Sequence, residues 1–420
     1  MTATASRDAV PAPMRIAYLG PEIPALSATF IYEELLGLER RGVQVLPFTV
    51  RRPAQAAAGQ QALAGRTRVL YDRPAPAMVL DGLVALPAFG ARTLKALGWL
   101  ARDMLRVGLH RPDAWKLGYQ WLMGARLGRR LRAEACSHLH VHFAHTPTQI
   151  AMYASAFSGV PFTIMAHAND IFERGLLLSE KAQRAVQLLT ISTYNLAYLR
   201  SVGVAEDKLA VVRCGVSFQA RQDVPAFEQR AAYRIGTLGR LVEKKGVDDL
   251  LRALALLRDA PWALKLSVAG DGPQREHLQR LAAELGVEQQ VEFVGALGHA
   301  DIAGWLRSLD VFALACKKDS NGDMDGIPVV LMEAMSQRVP VVTTRLSGIP
   351  ELVIHEQTGL LASPGAPEEL AQQLRRLLDD PGLRARLSQA ALEHVEAEFG
   401  QAVNLDRLME YFSFSAPPAP

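Results

Sequence analysis

The sequence predicts an α/β protein made of two doubly wound, parallel-sheet halves, and two observations carry that expectation. Short β-branched or apolar runs alternate with longer stretches of helical periodicity along most of the chain. The alternation lapses over a softer segment, "SFQARQDVPAFEQRAA" (217–232), and then starts again. No repeat of short period is present, which disfavours a solenoid. With 420 residues, 49% hydrophobic and 21% charged, the chain can bury a large core spread over two or three domains.

In the first half the strands read as "RIAYLG" (15–20), "VQVLPFTV" (43–50), "HLHVHF" (138–143), "FTIMAH" (162–167), "LLTIS" (188–192) and "KLAVVRC" (208–214). The second half gives "YRIGTLGR" (233–240), "LKLSVAG" (264–270), "VEFVG" (291–295), "VFALAC" (311–316) and "VPVVTT" (339–344). The expected division is a disordered tail (1–13), a first domain (14–216) with a basic amphipathic helical segment (75–134), and a linker (217–232). A second domain (233–395), a C-terminal helix able to return to the first domain (396–412) and a disordered tail (413–420) complete it. Doubly wound sheets hold ligands at the carboxyl ends of their strands, so two facing halves should enclose a cleft.

A formal charge of +3 is too mild for a nucleic-acid protein. Cys136, Cys214 and Cys316 form no C-x-x-C pair, so neither a disulfide framework nor a zinc site is indicated, and a reducing cytoplasm fits. The start lacks the apolar core of a signal peptide, and the apolar stretch 75–91 is broken by Asp81 and Pro87, so no membrane span is expected. His138, His140 and His142 share one face of a strand, but no carboxylate or cysteine completes a recognisable ligand set, and no metal is expected there. From Arg92 to Arg132 ten Lys or Arg and two Asp are interleaved with Trp99, Trp115 and Trp121. That pattern suits a membrane interface with anionic lipid or, equally, a solvated face on packed helices.

The second half holds most of the chemistry. "GTLGRLVEKKGVDDLLRAL" places Arg240, Lys244 and Lys245 where a strand hands over to a helix, with Gly246 leading into it, a place suited to a diphosphate. "SVAGDGP" is another such turn, with Gly270 and Gly272 allowing close backbone approach and Pro273 opening a helix. In "DGIPVVLMEAM" Asp325 and Glu333 stand eight positions apart around an apolar run. Ile327–Met332 reads as a helix with Pro328 in its first turn, and Glu333, set among apolar side chains, needs either a basic partner or a ligand hydroxyl. "TTRLSGIPELV" starts one more helix at Ser347 and Gly348, and Ser192 either approaches the cleft or caps the next helix.

In this order "GRLVEKKG", "VAGDGP", "FVGALGHADI", "DMDGIPVVLMEAM", "VPVVTTRLSGIPELV" and "TGLL" closely resemble the nucleotide-sugar-binding half of the retaining glycosyltransferases of family 4, which have the GT-B fold. "YLGPEIPALSATFIYEELLGLERRG" and "FTIMAHANDIF" resemble the subgroup that builds bacterial exopolysaccharides such as colanic acid. The resemblance implies that Glu333 accepts hydrogen bonds from the donor ribose and that Asp325, where the family usually has Glu, meets donor-sugar hydroxyls, with Asp323 able to share the contact. It puts Arg240 and Lys245 on the diphosphate in the place of a metal, and His167 near the reacting centre. Gly270, Asp271 and Gly272, then Val294, Gly295 and Leu297, would line the nucleotide pocket, with Gly326, Ile327 and Pro328 also on the donor side. Gly20 would let backbone approach the diphosphate or acceptor, and Ser27, Thr29 and Phe30 would shape the acceptor side.

A nucleotide-sugar donor is implied, a UDP-sugar as first guess, together with a saccharide or lipid-linked saccharide acceptor and no metal or other cofactor. The implied setting is cytoplasmic, with peripheral contact at an anionic membrane. A nucleotide-sugar epimerase or a non-catalytic nucleotide-sugar-binding protein is the alternative on the same architecture. A nicotinamide dehydrogenase is disfavoured, since no G-x-G-x-x-G follows an early strand.

Overall fold

A computed structural model of the chain describes residues 14–25, 29–53, 58–216 and 223–413. The expected N-terminal tail, the C-terminal tail beyond Ser413 and the first residues of the expected linker therefore lie outside the described residues, while Ser413 itself closes the last helix. The first sheet is built from β1 (Arg15–Gly20), β2 (Gln44–Thr49), β3 (Arg68–Val69), β4 (His138–His142), β5 (Phe162–Ala166), β6 (Leu188–Thr190) and β7 (Leu209–Val211). Its helices are α1 (Thr29–Arg40), α2 (Gln61–Arg66), α3 (Ala75–Ala85), α4 (Ala91–Val107), α5 (Pro112–Ala133), α6 (Thr146–Ser158), α7 (Ala168–Phe172), α8 (Leu178–Arg184) and α9 (Thr193–Ser201).

The second sheet is built from β8 (Ala232–Leu238), β9 (Ala263–Ala269), β10 (Val291–Gly295), β11 (Val311–Leu314), β12 (Val341–Thr344) and β13 (Leu360–Ala362). With it go α10 (Val247–Leu256), α11 (Arg275–Glu284), α12 (His299–Arg307), α13 (Val329–Ser336), α14 (Ile349–Leu352), α15 (Pro367–Asp379), α16 (Pro381–His394) and α17 (Gln401–Ser413). The chain divides into two compact units: one runs to Ile164 and adds Arg184–Gln187 and the chain from Met409, and the other comprises Met165–Gln183 and Leu188–Leu408.

The strand orders are β3-β2-β1-β4-β5-β6-β7 and β10-β9-β8-β11-β12-β13, with parallel registers such as β1 to β2 and β4, and β8 to β9 and β11. These are two Rossmann-like sheets. Helices cover both faces, which is why β4 and β5 are buried at every position, β5 as a mostly apolar run and β4 with His138, His140 and His142 alternating with Leu139 and Val141. Along β11 successive side chains enter different cores: Val311 and Ala313 pack with Leu250 and Leu374, while Phe312 and Leu314 pack with Leu331 and Met335. In each sheet the order reverses once, between β1 and β4 and between β8 and β11. Such a switch point leaves a crevice at the strands' carboxyl ends.

β3 and β13, of two and three residues, had no periodicity long enough to announce them. The helix expected over Ile327–Met332 begins instead at Val329, with Pro328 extended (φ −66°, ψ 123°) in the cap position rather than inside the first turn. Similarly α11 opens at Arg275, two residues after Pro273. Ser192 is a cap: its side chain accepts from Asn195 N–H at the start of α9.

Much of the basic segment is internal. Arg126 is 3% exposed and donates to Leu70 O (2.7 Å) and Asp72 (2.9 Å), Arg132 donates to Phe157 O (3.0 Å), and Trp121 is buried. Asp103 is buried beside the Arg184 guanidinium and the Tyr153 hydroxyl, both at 2.7 Å. After a π turn over Val395–Phe399, α17 carries Phe412 over the rings of His138 and His140, with centroids 5.1 and 5.2 Å away. Among the described residues no helix is long and apolar enough to cross a membrane.

Candidate active site

The loops that follow β8 and β11 sit side by side at the switch point of the second sheet, and they bring opposite charges together. Lys245, in the single turn Glu243–Lys245, donates from Nζ to Asp325 Oδ2 at 2.7 Å. Lys244 Nζ reaches Asp323 at 2.8 Å and Asp325 at 3.6 Å. Burial by itself would push the Asp325 carboxyl up, but Lys245 and Lys244 beside it outweigh that and hold it below the usual aspartate value. Gly246 ends the turn at φ 63°, and a Cβ there would lie 1.8 Å from Ala315 O, so only glycine lets the two loops close on each other. Arg240 is exposed in the same loop, and its guanidinium has no partner among the described residues.

The glycine turn after β9 lies on this loop. Gly270 has φ 121°, a Cβ on it would meet Gly239 O at 1.9 Å, and its N–H donates to Gly295 O at 2.7 Å. Leu241 N–H donates to Asp271 O and Gln274 N–H to Leu241 O. Backbone contacts thus join Arg240, the turn Gly270–Gly272 and the end of β10 at one edge, as the motifs were expected to converge. Asp271 faces solvent, its Oδ1 accepting from Gly272 N–H, while Val294 and Leu297 are half-buried.

Glu333 lies on the first turns of α13, half-buried, with Leu331, Met332, Ala334 and Met335 buried around it. Its carboxylate has no hydrogen bond among the described residues. Burial raises its pKa, an effect partly offset by His299 at the start of α12. The ionised form is therefore the costly one in the folded chain, and that penalty lifts as the pH falls through the raised value. Glu333→Gln should accordingly fold at neutral pH as well as wild type. If the carboxylate holds a ribose, affinity for a nucleoside diphosphate should decline on acidification starting above the ordinary glutamate value of 4.5, and the decline should be shallower in Glu333→Gln. Calorimetry of both proteins across pH separates this from titration of the ligand phosphate, which is common to the two. Parallel profiles would exclude Glu333 from the ribose.

His167 directly follows β5, buried, with its backbone N–H donating to Asp170 Oδ1 at 2.8 Å. The next residue reaches the acidic motif: a Cβ built on Gly326 would lie 3.5 Å from Ala168 Cβ and 3.0 Å from Ile191 Cδ1. Ile327 and Pro328 are buried behind it. Gly20, Thr29 and Phe30 belong to the other unit, at the carboxyl end of β1, and Ser27 lies outside the described residues. Also in that unit, helix α1 brings Glu34 to within 3.1 Å of His142 Nε2 and 3.7 Å of His140 Nε2, and Tyr18 OH lies 2.8 Å from His142. A carboxylate thus joins the histidines after all; it comes from a helix over a hundred positions away in sequence, which strand spacing could not reveal.

Three further residues, to which the sequence reading gave no part in the site, are placed by the fold. The Cys316 thiol lies 3.4 Å from Asp325, with burial and then that carboxylate raising its pKa well above the usual value. His299, at the start of α12, is the side chain that partly offsets the effect of burial on Glu333. Ser347 stands at φ 50° at the entry to α14, with a buried Oγ that meets no hydrogen-bond partner among the described residues.

The family models match the chain in two blocks, Glycosyltransferase Family 4 over residues 27–219 and Glycosyl transferases group 1 over residues 222–394. The chain belongs to glycosyltransferase family 4. It is 29% identical over 412 residues to WcaL of Escherichia coli K12, assigned as a colanic acid biosynthesis glycosyltransferase, covering 93% of this chain and 97% of that one. The amylovoran biosynthesis glycosyltransferase AmsK of Erwinia amylovora is 32% identical over 251 residues, 58% of this chain and 61% of its own. A GDP-mannose-dependent phosphatidylinositol monomannoside mannosyltransferase of Corynebacterium glutamicum is 35% identical over 170 residues, 40% of this chain and 44% of its own. In fold, the family 4 chain superposes on Anabaena HepE in complex with UDP with a TM-score of 0.69 at 16% identity, covering 96% of this chain and 100% of that one. This is the GT-B architecture.

Proposed function

We propose that this glycosyltransferase moves a sugar from a nucleotide-sugar donor to a saccharide or lipid-linked saccharide acceptor in exopolysaccharide synthesis, with retention at the anomeric carbon and without a metal. The observation that carries the reading is the Lys245–Asp325 pair at the β8/β11 switch point, stitched to the glycine turn, with Arg240 and Glu333 nearby and unpartnered. Lys245 and Arg240 would balance the charge gathering on the departing nucleoside diphosphate. In the front-face step the bond from the anomeric carbon to the diphosphate oxygen breaks, the acceptor oxygen bonds on the same face, and the acceptor proton passes to the leaving phosphate. No carboxylate is assigned as nucleophile. The setting proposed is cytoplasmic, with peripheral attachment at the inner face of the membrane.

The base is proposed as uracil, which the HepE complex supports in kind and the GDP-mannose-dependent relative opposes. Thermal unfolding with UDP-, GDP- and ADP-sugars decides it, because a ligand at a hundredfold excess over its Kd adds about 2.7 kcal/mol to the folded state. A rise in Tm with UDP-sugars alone, followed by transfer to a saccharide acceptor, is the expected result. Stabilisation without turnover would point to a binding protein, and acceptor-independent conversion of the sugar nucleotide to an epimerase; either overturns the proposal.

A further inference from the structure

Among the described residues eight of the large apolar side chains left exposed fall between Leu80 and Trp115. Single exposed leucines are ordinary on protein surfaces, but such a concentration is not. α4 shows how it is organised. It buries Ala96, Leu100, Asp103 and Val107, which follow one another at helical spacing. Its outward half is split lengthwise. One stripe is apolar, with Leu94 71%, Leu97 48% and Leu105 67% exposed, and the stripe beside it is basic, with Lys95, Arg102 and Arg106 all exposed. α3, one turn upstream and packed like α4 on α5, adds Leu80 and Val84, exposed by 62% and 63%. Of the α5 cations, Arg126 and Arg132 are engaged with backbone carbonyls and are not counted in this face.

We infer that the outer face of α3 and α4 is the surface by which this protein lies on an anionic lipid bilayer, the leucine stripe entering the acyl boundary and the basic stripe meeting headgroup phosphates. This rests on the peripheral attachment proposed above and gives it a place. An apolar stripe bordered by cations is the layout of a helix lying in the plane of an interface. Two copies of the chain pairing through this face would set cations against cations, which disfavours self-association.

The test uses the full-length chain sedimented with vesicles of phosphatidylcholine alone or mixed with phosphatidylglycerol. Recovery is expected with the mixed vesicles at low salt and should fall at high salt as the charges are screened. Lys95→Gln and Arg102→Gln should each weaken binding about fivefold, the effect of removing roughly one kcal/mol per cation at an anionic surface. Leu94→Glu/Leu97→Glu should abolish it at either salt. Both sets of variants should keep the wild-type Tm and wild-type transfer to a soluble saccharide, readings that contain no lipid and so separate failure of this surface from failure of the glycosyl-transfer reading. Equal recovery with neutral vesicles, unchanged binding in the leucine variant, or a lipid-free dimer that the leucine variant dissociates would overturn the inference.

Discussion

Lys245→Ala is expected to lower transfer from the intact donor by about 10²–10³-fold, the loss typical when one charge-stabilising donor is taken from a transition state. Wild-type turnover should meanwhile be indifferent to a chelator. Loss of turnover in chelator, restored by Mg²⁺ or Mn²⁺, would overturn the metal-free proposal. The same substitution carries a stability cost, because Lys245 Nζ sits 2.7 Å from an Asp325 carboxylate that is only 15% exposed. Breaking a buried pair by removing one partner costs about 3–5 kcal/mol. Lys244, 3.6 Å from the other oxygen, should soften that. A double variant distinguishes the two effects. Lys245→Ala/Asp325→Asn removes the stranded charge, so its denaturation midpoint should recover toward wild type while transfer stays low. If transfer recovered along with stability, Lys245 would be a structural residue.

Glu333→Gln and Asp325→Asn should fail in different assays. In the first, a ribose diol keeps an amide oxygen but loses a charged acceptor, at a cost of about 1–3 kcal/mol in affinity for the free nucleoside diphosphate. Asp325→Asn should leave that affinity nearly intact and lower transfer instead, since its proposed partner is the donor sugar and an interaction felt more in the transition state shows in turnover. The structure sharpens the second expectation, because Asp325 holds Lys245 and accepts from Cys316 at 3.4 Å. Its substitution should therefore also free Lys245, giving diphosphate affinity that is unchanged or higher. Calorimetry with the nucleoside diphosphate beside transfer kinetics reads both. Equal loss of affinity in the two variants would show that the roles are wrongly divided.

Much of the fold was legible because its determinants are local. Strands buried on both faces read as nearly continuous apolar runs, as at β5 and β11, and the helices between them carry their own period. The motif order of the second half carried the family, and the site residues it singled out on the loops after β8, β9 and β11 do lie at one edge of one sheet. What the sequence alone could not decide were pairings made across the chain. Lys245 and Asp325 are 80 positions apart and meet only because β11 adds beside β8. Glu34 reaches His142 across 108 positions only because α1 packs over β4. Composition made residues 92–132 a basic, amphipathic, Trp-bearing segment, yet packing took Arg126 and Trp121 inside and left Leu94, Leu97 and Leu105 of α4 in water. Periodicity records which side of an element is apolar, whereas which sides find a partner depends on how the elements meet, a long-range outcome that only the folded chain determines.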